Sequence, residues 1–182
     1  MTRIRFAFHN GNDSLLGKAI IGWTWFLGLF YNWSVLKFNY SHVEIWMPDR
    51  VRGFYDWDGT KVIYCISSAS RDDEFPGVRS KHASKVLKHP DRWDYIEAEA
   101  DDERVEVALA EANKLMGKGY DYLGIFGFFN PFAVQDKNRW YCSELASWFC
   151  YLTRITKKRH ERISPRRLAY ELSKRYGEPK PV

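Results

Sequence analysis

The residues of this chain best suited to covalent chemistry are a cysteine, Cys142, and a histidine, His42. Cys142 lies in the segment WYCSEL, residues 140–145, where an aromatic loop turns into an amphipathic helix. The N–H groups and dipole at a helix N-terminus favour the thiolate, which is the nucleophilic form of cysteine. A histidine can accept the thiol proton. These two residue types predict nucleophilic catalysis on a carbonyl group.

The element that carries the histidine is predicted to be a strand over residues 40–47. Alternation along a strand places His42 and Glu44 on one face and the apolar residues between them on the other. Glu44 is therefore the candidate third residue, because a carboxylate bonded to one ring nitrogen fixes the tautomer of the histidine. Tyr64 and Ser67, in the next strand, are alternatives for this position.

The other hydrophobic patterns alternate between strand and helix periods, which predicts an α+β fold with a small antiparallel sheet packed against helices. The predicted strands cover residues 3–9, 40–47, 51–55, 61–66 and 93–98, and the predicted helices cover 15–26, 102–116, 142–155 and 164–176.

Composition favours one folded domain over residues 1–182, with a basic helical C-terminal extension over about 156–182. Hydrophobic residues make up 45% of the chain and aromatic residues 17%. The three cysteines, Cys65, Cys142 and Cys150, match neither a disulfide framework nor a CxxC metal site. Their number and spacing indicate a reducing compartment. Because the first residues also lack an apolar signal region, we expect a cytoplasmic protein, which for a phage protein would mean the host cytoplasm.

A run without charged residues extends from Ala19 to Leu36 and includes Trp23. A membrane-spanning helix needs about 20 apolar residues, and this run is interrupted by glycines and polar residues. We therefore expect an aromatic helix and loop beside a cleft, with peripheral membrane contact as an alternative. Trp23, Trp46 and Tyr141 are the candidate substrate-binding residues.

The net charge of +5 is unevenly distributed along the chain. Residues 91–111 contain nine acids and two arginines, whereas residues 154–175 contain nine lysines and arginines and two glutamates. The favoured interpretation of the basic region is a solvated helical face. Binding of nucleic acid or an anionic membrane is the less favoured alternative.

Four short segments resemble the permuted papain-like cysteine hydrolases: NDSL at 12–15, SHVEI at 41–45, GYDYLGI at 119–125 and WYCSE at 140–144. That superfamily includes YiiX-like bacterial, poxvirus-like and phage proteins, and is related to NlpC-type enzymes and lecithin:retinol acyltransferases. His42 precedes Cys142, which is the reverse of the order in papain. The resemblance implies a circularly permuted papain-like fold.

The resemblance also implies a function, that of a hydrolase or acyltransferase acting on an amide, ester or thioester bond through an acyl-enzyme. Cys142 would be the nucleophile and His42 the base. The oxyanion hole would use the Cys142 N–H and a second donor, for which Asn10, His9 and Tyr141 are candidates. We expect no metal or other cofactor, and a small-molecule, lipid or peptide substrate. The sequence does not indicate an oligomeric state.

Two other classes of function fit the sequence less well than a cysteine hydrolase. His42-Val43-Glu44 matches the H-x-E half of a zinc deaminase signature, but the P-C-x-x-C half is absent, so metal catalysis is disfavoured. The alternative function is a catalytically inactive binding module whose basic C-terminal region holds nucleic acid or an anionic membrane.

Overall fold

The structure is a computed structural model that describes residues 1–10, 18, 22, 26, 37–48, 64–70, 76–122, 124, 136, 138–160 and 162–182. It contains a sheet with helices packed against it, so the predicted α+β class is confirmed. The strands are β1 Thr2–His9, β2 His42–Trp46, β3 Tyr64–Ala69, β4 Gly77–His82, β5 Trp93–Ala100, β6 Gly119–Tyr120, β7 Arg139–Trp140 and β8 Lys180–Pro181. The helices are α1 Ala83–Val86, α2 Asp102–Asn113, α3 Cys142–Leu152 and α4 Pro165–Tyr176, with a 3-10 turn at Pro90–Arg92.

The eight described strands form one sheet in the order β7-β6-β4-β3-β2-β1-β5-β8. All neighbours are antiparallel except β6 and β7, which are parallel. The strand with the histidine, β2, lies between β1 and β3 and is therefore an interior strand. Interior strands hold a side chain more rigidly than edge strands, because their backbone is hydrogen-bonded on both sides.

The alternation predicted for the first two strands matches their burial. Phe6 and Phe8 of β1 join Val43 and Ile45 of β2 in the main core, on the side where α3 packs against β2 and β3. Glu44, on the opposite face of β2, is nevertheless fully buried. A buried carboxylate needs hydrogen-bonding or charged partners, and His42 and Arg79 are those of Glu44.

Two helices begin at side-chain caps, close to their predicted starts. The side chain of Asp101 accepts hydrogen bonds from the first turn of α2, and that of Ser164 does the same for α4. Tyr141 precedes α3 and makes no such side-chain bond, so the first turn of α3 has no side-chain cap. The end of α3 differs from the prediction by three residues. It ends at Leu152 because Arg154 adopts a left-handed backbone conformation, with φ 59°.

The C-terminal region, predicted as an extension, packs against the core. Leu168, Ala169 and Leu172 of α4 are buried, and α4 contacts both β5 and α3. β8 then pairs with β5, where Tyr95 lies opposite Lys180, and forms one edge of the sheet.

Some predicted elements lie outside the described residues. They include the strand over residues 51–55 and most of the uncharged run with its Trp23. Within the helix predicted over residues 15–26, the structure describes Lys18, Gly22 and Phe26, and all three are helical and exposed. Among the described residues, no helix combines the length and the apolar character needed to cross a membrane.

Candidate active site

The two predicted reactive residues lie at the start of their elements. His42 is the first residue of β2, and Cys142 is the first residue of α3. Ser68, near the end of β3, donates its hydroxyl to the Trp140 carbonyl at 2.6 Å. That bond joins the sheet to the segment that leads into α3. The start of the helix is thereby held beside the start of the strand.

The His42 ring contacts both of its predicted partners. Its Nε2 atom lies 2.7 Å from Glu44 Oε1. The His42 side chain also hydrogen-bonds the side chain of Cys142. Because Glu44 occupies Nε2, the Nδ1 atom is the nitrogen left for the thiol. The ring is 23% exposed, so a substrate has access to it from one side.

The surroundings of His42 favour its protonated form. Burial alone would lower the pKa of His42, but the charge and hydrogen bond of Cys142, together with those of Glu44, raise it to about 9. The raised pKa favours the imidazolium form of His42 beside the Glu44 carboxylate. An imidazolium beside a cysteine stabilises the thiolate by direct charge interaction.

Glu44 is held by an arginine that the sequence analysis did not single out. Arg79 of β4 donates Nη1 to Glu44 Oε2 at 2.8 Å and Nη2 to Glu44 Oε1 at 2.6 Å. Burial alone would raise the pKa of Glu44, but the charge of Arg79 and the bonds from His42 lower it to about 2. The carboxylate therefore stays ionised and acts as a fixed acceptor for His42.

Strand register explains how Arg79 reaches Glu44 from two strands away. Ser67 of β3 lies opposite Arg79, and continuing the β2–β3 pairing at Ile45 and Ile66 places Ser67 opposite Glu44. The small Ser67 side chain leaves room above the sheet for the long guanidinium. Its own hydroxyl donates to the Val43 carbonyl at 2.7 Å. The burial of Glu44 is the signal that points to a missing cation, and that burial is not visible in the sequence.

Aromatic residues surround the pair. The Trp93 ring lies edge-on to His42, with centroids 6.3 Å apart, and edge-on to His9 at 4.9 Å. Burial first and then the charge of Cys142 raise the pKa of Tyr120 well above its usual value. Sequence reasoning missed Trp93 and Tyr120 because their positions depend on the pairing of β5 with β1 and of β6 with β7.

The GYDYLGI segment packs against the residue before Cys142. Asp121 is fully buried and accepts a hydrogen bond from the Gly124 backbone N–H at 2.8 Å. A Cβ atom at position 124 would overlap Asp121 Oδ2 and lie 3.2 Å from the Tyr141 ring. Glycine at position 124 therefore permits the close approach of this segment to the start of α3.

The three candidate substrate-binding residues have different positions. Tyr141 is 1% exposed, and its phenol bonds the Ile163 backbone, so its side chain has almost no surface for a substrate. Trp46 lies four residues along β2 from His42, about 13 Å away, and its ring contacts the Arg5 guanidinium at 4.8 Å. Tyr141 is therefore next to the thiol but buried, and Trp46 is far from the thiol along β2. Trp23 lies outside the described residues.

The other two cysteines differ from Cys142. Cys65 and Cys150 are fully buried, and burial raises the pKa of both thiols well above the usual range. A buried neutral thiol is a poor nucleophile. Cys142 is 4% exposed and begins a helix beside a histidine. Of the three described cysteines, only Cys142 has a histidine within hydrogen-bonding reach.

Within the described part of the chain, no group of three or more histidine, cysteine, aspartate or glutamate residues could hold a metal ion. Comparison with protein-family models, curated proteins and solved structures gives no match. The geometry of Cys142, His42 and Glu44 is therefore the basis for assigning a function.

Proposed function

We propose that this protein is a cysteine-dependent hydrolase or acyltransferase that acts on an amide, ester or thioester bond. The observation that carries the proposal is the position of the His42 ring, which hydrogen-bonds the Cys142 side chain and the Glu44 carboxylate together. A nucleophile, a base and a group that orients the base form the minimal arrangement for nucleophilic catalysis.

The proposed reaction has two halves. The Cys142 thiolate attacks the carbonyl carbon and forms a C–S bond, and the His42 imidazolium then gives its proton to the leaving group as the scissile bond breaks. The product is a thioester between the acyl group and Cys142. Water or another acceptor next gives a proton to His42 and attacks the thioester, which releases the acyl product and restores the thiolate.

Glu44 and Arg79 are proposed as positioning residues. The charged Glu44 carboxylate holds the His42 ring in one orientation and stabilises the imidazolium. Arg79 holds Glu44 through two parallel hydrogen bonds, a geometry that fixes direction as well as charge.

The second donor of the oxyanion hole is proposed to be the Tyr120 hydroxyl. Support comes from its interaction with Cys142 and from its bond with the Ser70 side chain, which holds the phenol in place. Of the donors considered from sequence, Tyr141 is buried against Ile163 and Asn10 is exposed with its backbone N–H bonded to Arg92 O at 2.7 Å. The first donor would be the Cys142 N–H, in a helical turn without a side-chain cap.

For the fold, we propose the circularly permuted papain-like arrangement. It is supported by a mostly antiparallel sheet, a histidine on an interior strand early in the chain, and a cysteine at the start of a later helix. For the substrate, the aromatic residues around the pair favour an apolar acyl group over a highly charged peptide. A cytoplasmic location remains a prediction from sequence.

The test uses p-nitrophenyl esters of two, four and eight carbons and an acyl thioester, with intact-mass detection of the acyl-enzyme. We expect acylation at Cys142, no acylation in Cys142→Ala, and turnover at least about 100-fold lower in His42→Ala. Cys150→Ala is the matched control and should keep its activity. Full turnover in Cys142→Ala, or an acyl group on another residue, would contradict the proposal.

A further inference from the structure

A basic groove lies at the opposite end of α3 from Cys142. It consists of two adjoining cavities of about 540 and 330 Å³ that share Thr156, Lys157 and Arg175. Along the helix axis, Tyr151 lies about 14 Å from Cys142 at 1.5 Å per residue. The groove is therefore distinct from the candidate active site. Its lining residues include the cationic or aromatic Arg104, Tyr151, Arg154, Lys157, Lys158 and Arg175, which are exposed or partly exposed.

Within the part of the chain that the structure describes, the cations of the groove have no acidic partners. Among the described residues, no carboxylate forms an ion pair with Arg104, Arg154, Lys157 or Lys158. Glu171 lines the smaller cavity, but Arg167 already pairs with it at 2.6 Å. Several unpaired like charges around one concavity repel each other, and an anionic ligand would remove that repulsion.

Helix dipoles account for only part of this arrangement. A cation at the C-terminus of α3 is favoured by the helix dipole, which suits Arg154. Arg104, however, lies in the first turn of α2, where a positive charge is disfavoured.

The backbone at Arg154 is a second, independent feature. Its φ of 59° is the left-handed conformation that usually belongs to glycine at the end of a helix. An arginine there is strained, and strain of this kind concentrates at functional sites. The chain therefore places a charged side chain at the groove where glycine would fit the backbone better.

The groove contains an exposed aromatic ring, that of Tyr151, in addition to its cations. The Tyr151 side chain is 47% exposed and lies in the larger cavity among Arg104, Arg154 and Lys157. An exposed aromatic ring beside several cations is the combination that binds single-stranded nucleic acid, where bases stack and phosphates meet positive charge. The concave form and the spread of cations over two joined cavities favour a flexible strand over a flat membrane surface.

We propose that this groove binds single-stranded nucleic acid, with phosphates on the cations of the groove and a base stacked on Tyr151. The site is independent of the proposed catalysis, so Cys142→Ala should bind the strand as the wild type does. The sequence alone favours a solvated face for this region, and the lack of acidic partners among the described residues is what favours a binding surface instead.

The test is fluorescence anisotropy of the full chain with a labelled 12-nucleotide oligouridylate between 50 and 200 mM salt. We expect Arg154→Gly to weaken binding at least threefold and to reduce the salt slope by about 0.7. Tyr151→Ala should weaken binding about fivefold or more with an unchanged slope. Lys88→Gln removes an exposed positive charge outside the groove and should bind as the wild type does.

Three results would overturn the proposal while each variant keeps its circular dichroism spectrum and melting temperature. The first is no salt-dependent binding of the oligonucleotide by the wild type. The second is that inorganic polyphosphate binds as tightly as the oligonucleotide and that Tyr151→Ala has no effect, since binding would then depend on charge alone. The third is preferential binding to vesicles of phosphatidylcholine and phosphatidylserine.

Discussion

The two ends of α3 hold charge in opposite ways. At its N-terminal end, Glu44 is fully buried and bonded to both His42 and Arg79. At its C-terminal end, exposed Arg154 and Lys157 line a groove without forming an ion pair to any carboxylate among the described residues. One helix therefore joins a compact paired site to an open cationic one.

The buried, paired charges and the exposed, unpaired charges differ in their effects on folding and on binding. A buried pair holds a defined geometry, and its loss is expensive because the remaining charge has no water around it. An exposed cation contributes little to folding and keeps its charge available for a ligand. We therefore expect substitutions at the first end to change stability and reactivity together, and substitutions at the second end to change binding alone.

The largest effect on stability is expected from Arg79→Met. It leaves the buried Glu44 carboxylate without its cation, and we expect the free energy of unfolding to fall by about 3–5 kcal/mol. The double variant Glu44→Leu/Arg79→Met removes both charges and should lose less than the sum of its single changes. Denaturant unfolding checks both, and strict additivity would mean that the pair is not coupled.

Acid should destabilise the fold by protonating Glu44, at the same end of α3. The pKa of Glu44 is lowered from its usual 4.5 to about 2. Its contribution to the free energy of unfolding is therefore fully present above pH 4.5 and is lost as the pH falls towards 2. The loss should amount to about 3 kcal/mol. Unfolding curves measured from pH 6 to pH 2 test this prediction. The Glu44→Leu/Arg79→Met variant should lack this part of the acid dependence, and an unchanged dependence would contradict the assignment.

The smallest effect is expected at the other end, from Arg154→Gly. Glycine adopts the φ of 59° without strain, so we expect the free energy of unfolding to stay equal or rise by about 1 kcal/mol. Arg154→Ala is the matched control, because it removes the charge but keeps the strained backbone. A loss of 2 kcal/mol or more in Arg154→Gly would mean that the side chain has a structural role and would weaken the contrast between the two ends.

Local patterns predicted the elements but not the contacts between them. Alternation in β2 placed His42 and Glu44 on one face, and the predicted starts of two helices at residues 102 and 164 lie within one residue of the observed ones. Arg79 was missed because its approach to Glu44 depends on the register of three strands. No single segment contains that information.

For a related reason, the sequence could not decide between a solvated face and a binding surface in the basic C-terminal region. A count of charges along residues 154–175 is the same whether each cation has a carboxylate partner or none. The distinction depends on how α2, the end of α3 and α4 meet around the groove. The left-handed Arg154 was also unforeseen, since the helical pattern continues to Ile155 and contains no glycine at that point.

The most direct test of the central claim is the rate of alkylation of Cys142 by iodoacetamide at pH 6.5, in the wild type and in His42→Ala. Mass spectrometry of the peptides reads each cysteine separately, so the fully buried Cys65 and Cys150 are internal controls. Because the raised pKa of His42 favours an imidazolium beside the thiol, we predict fast modification of Cys142 alone and a loss of at least about tenfold in His42→Ala. Equal, slow modification in both proteins would contradict the pairing of Cys142 with His42.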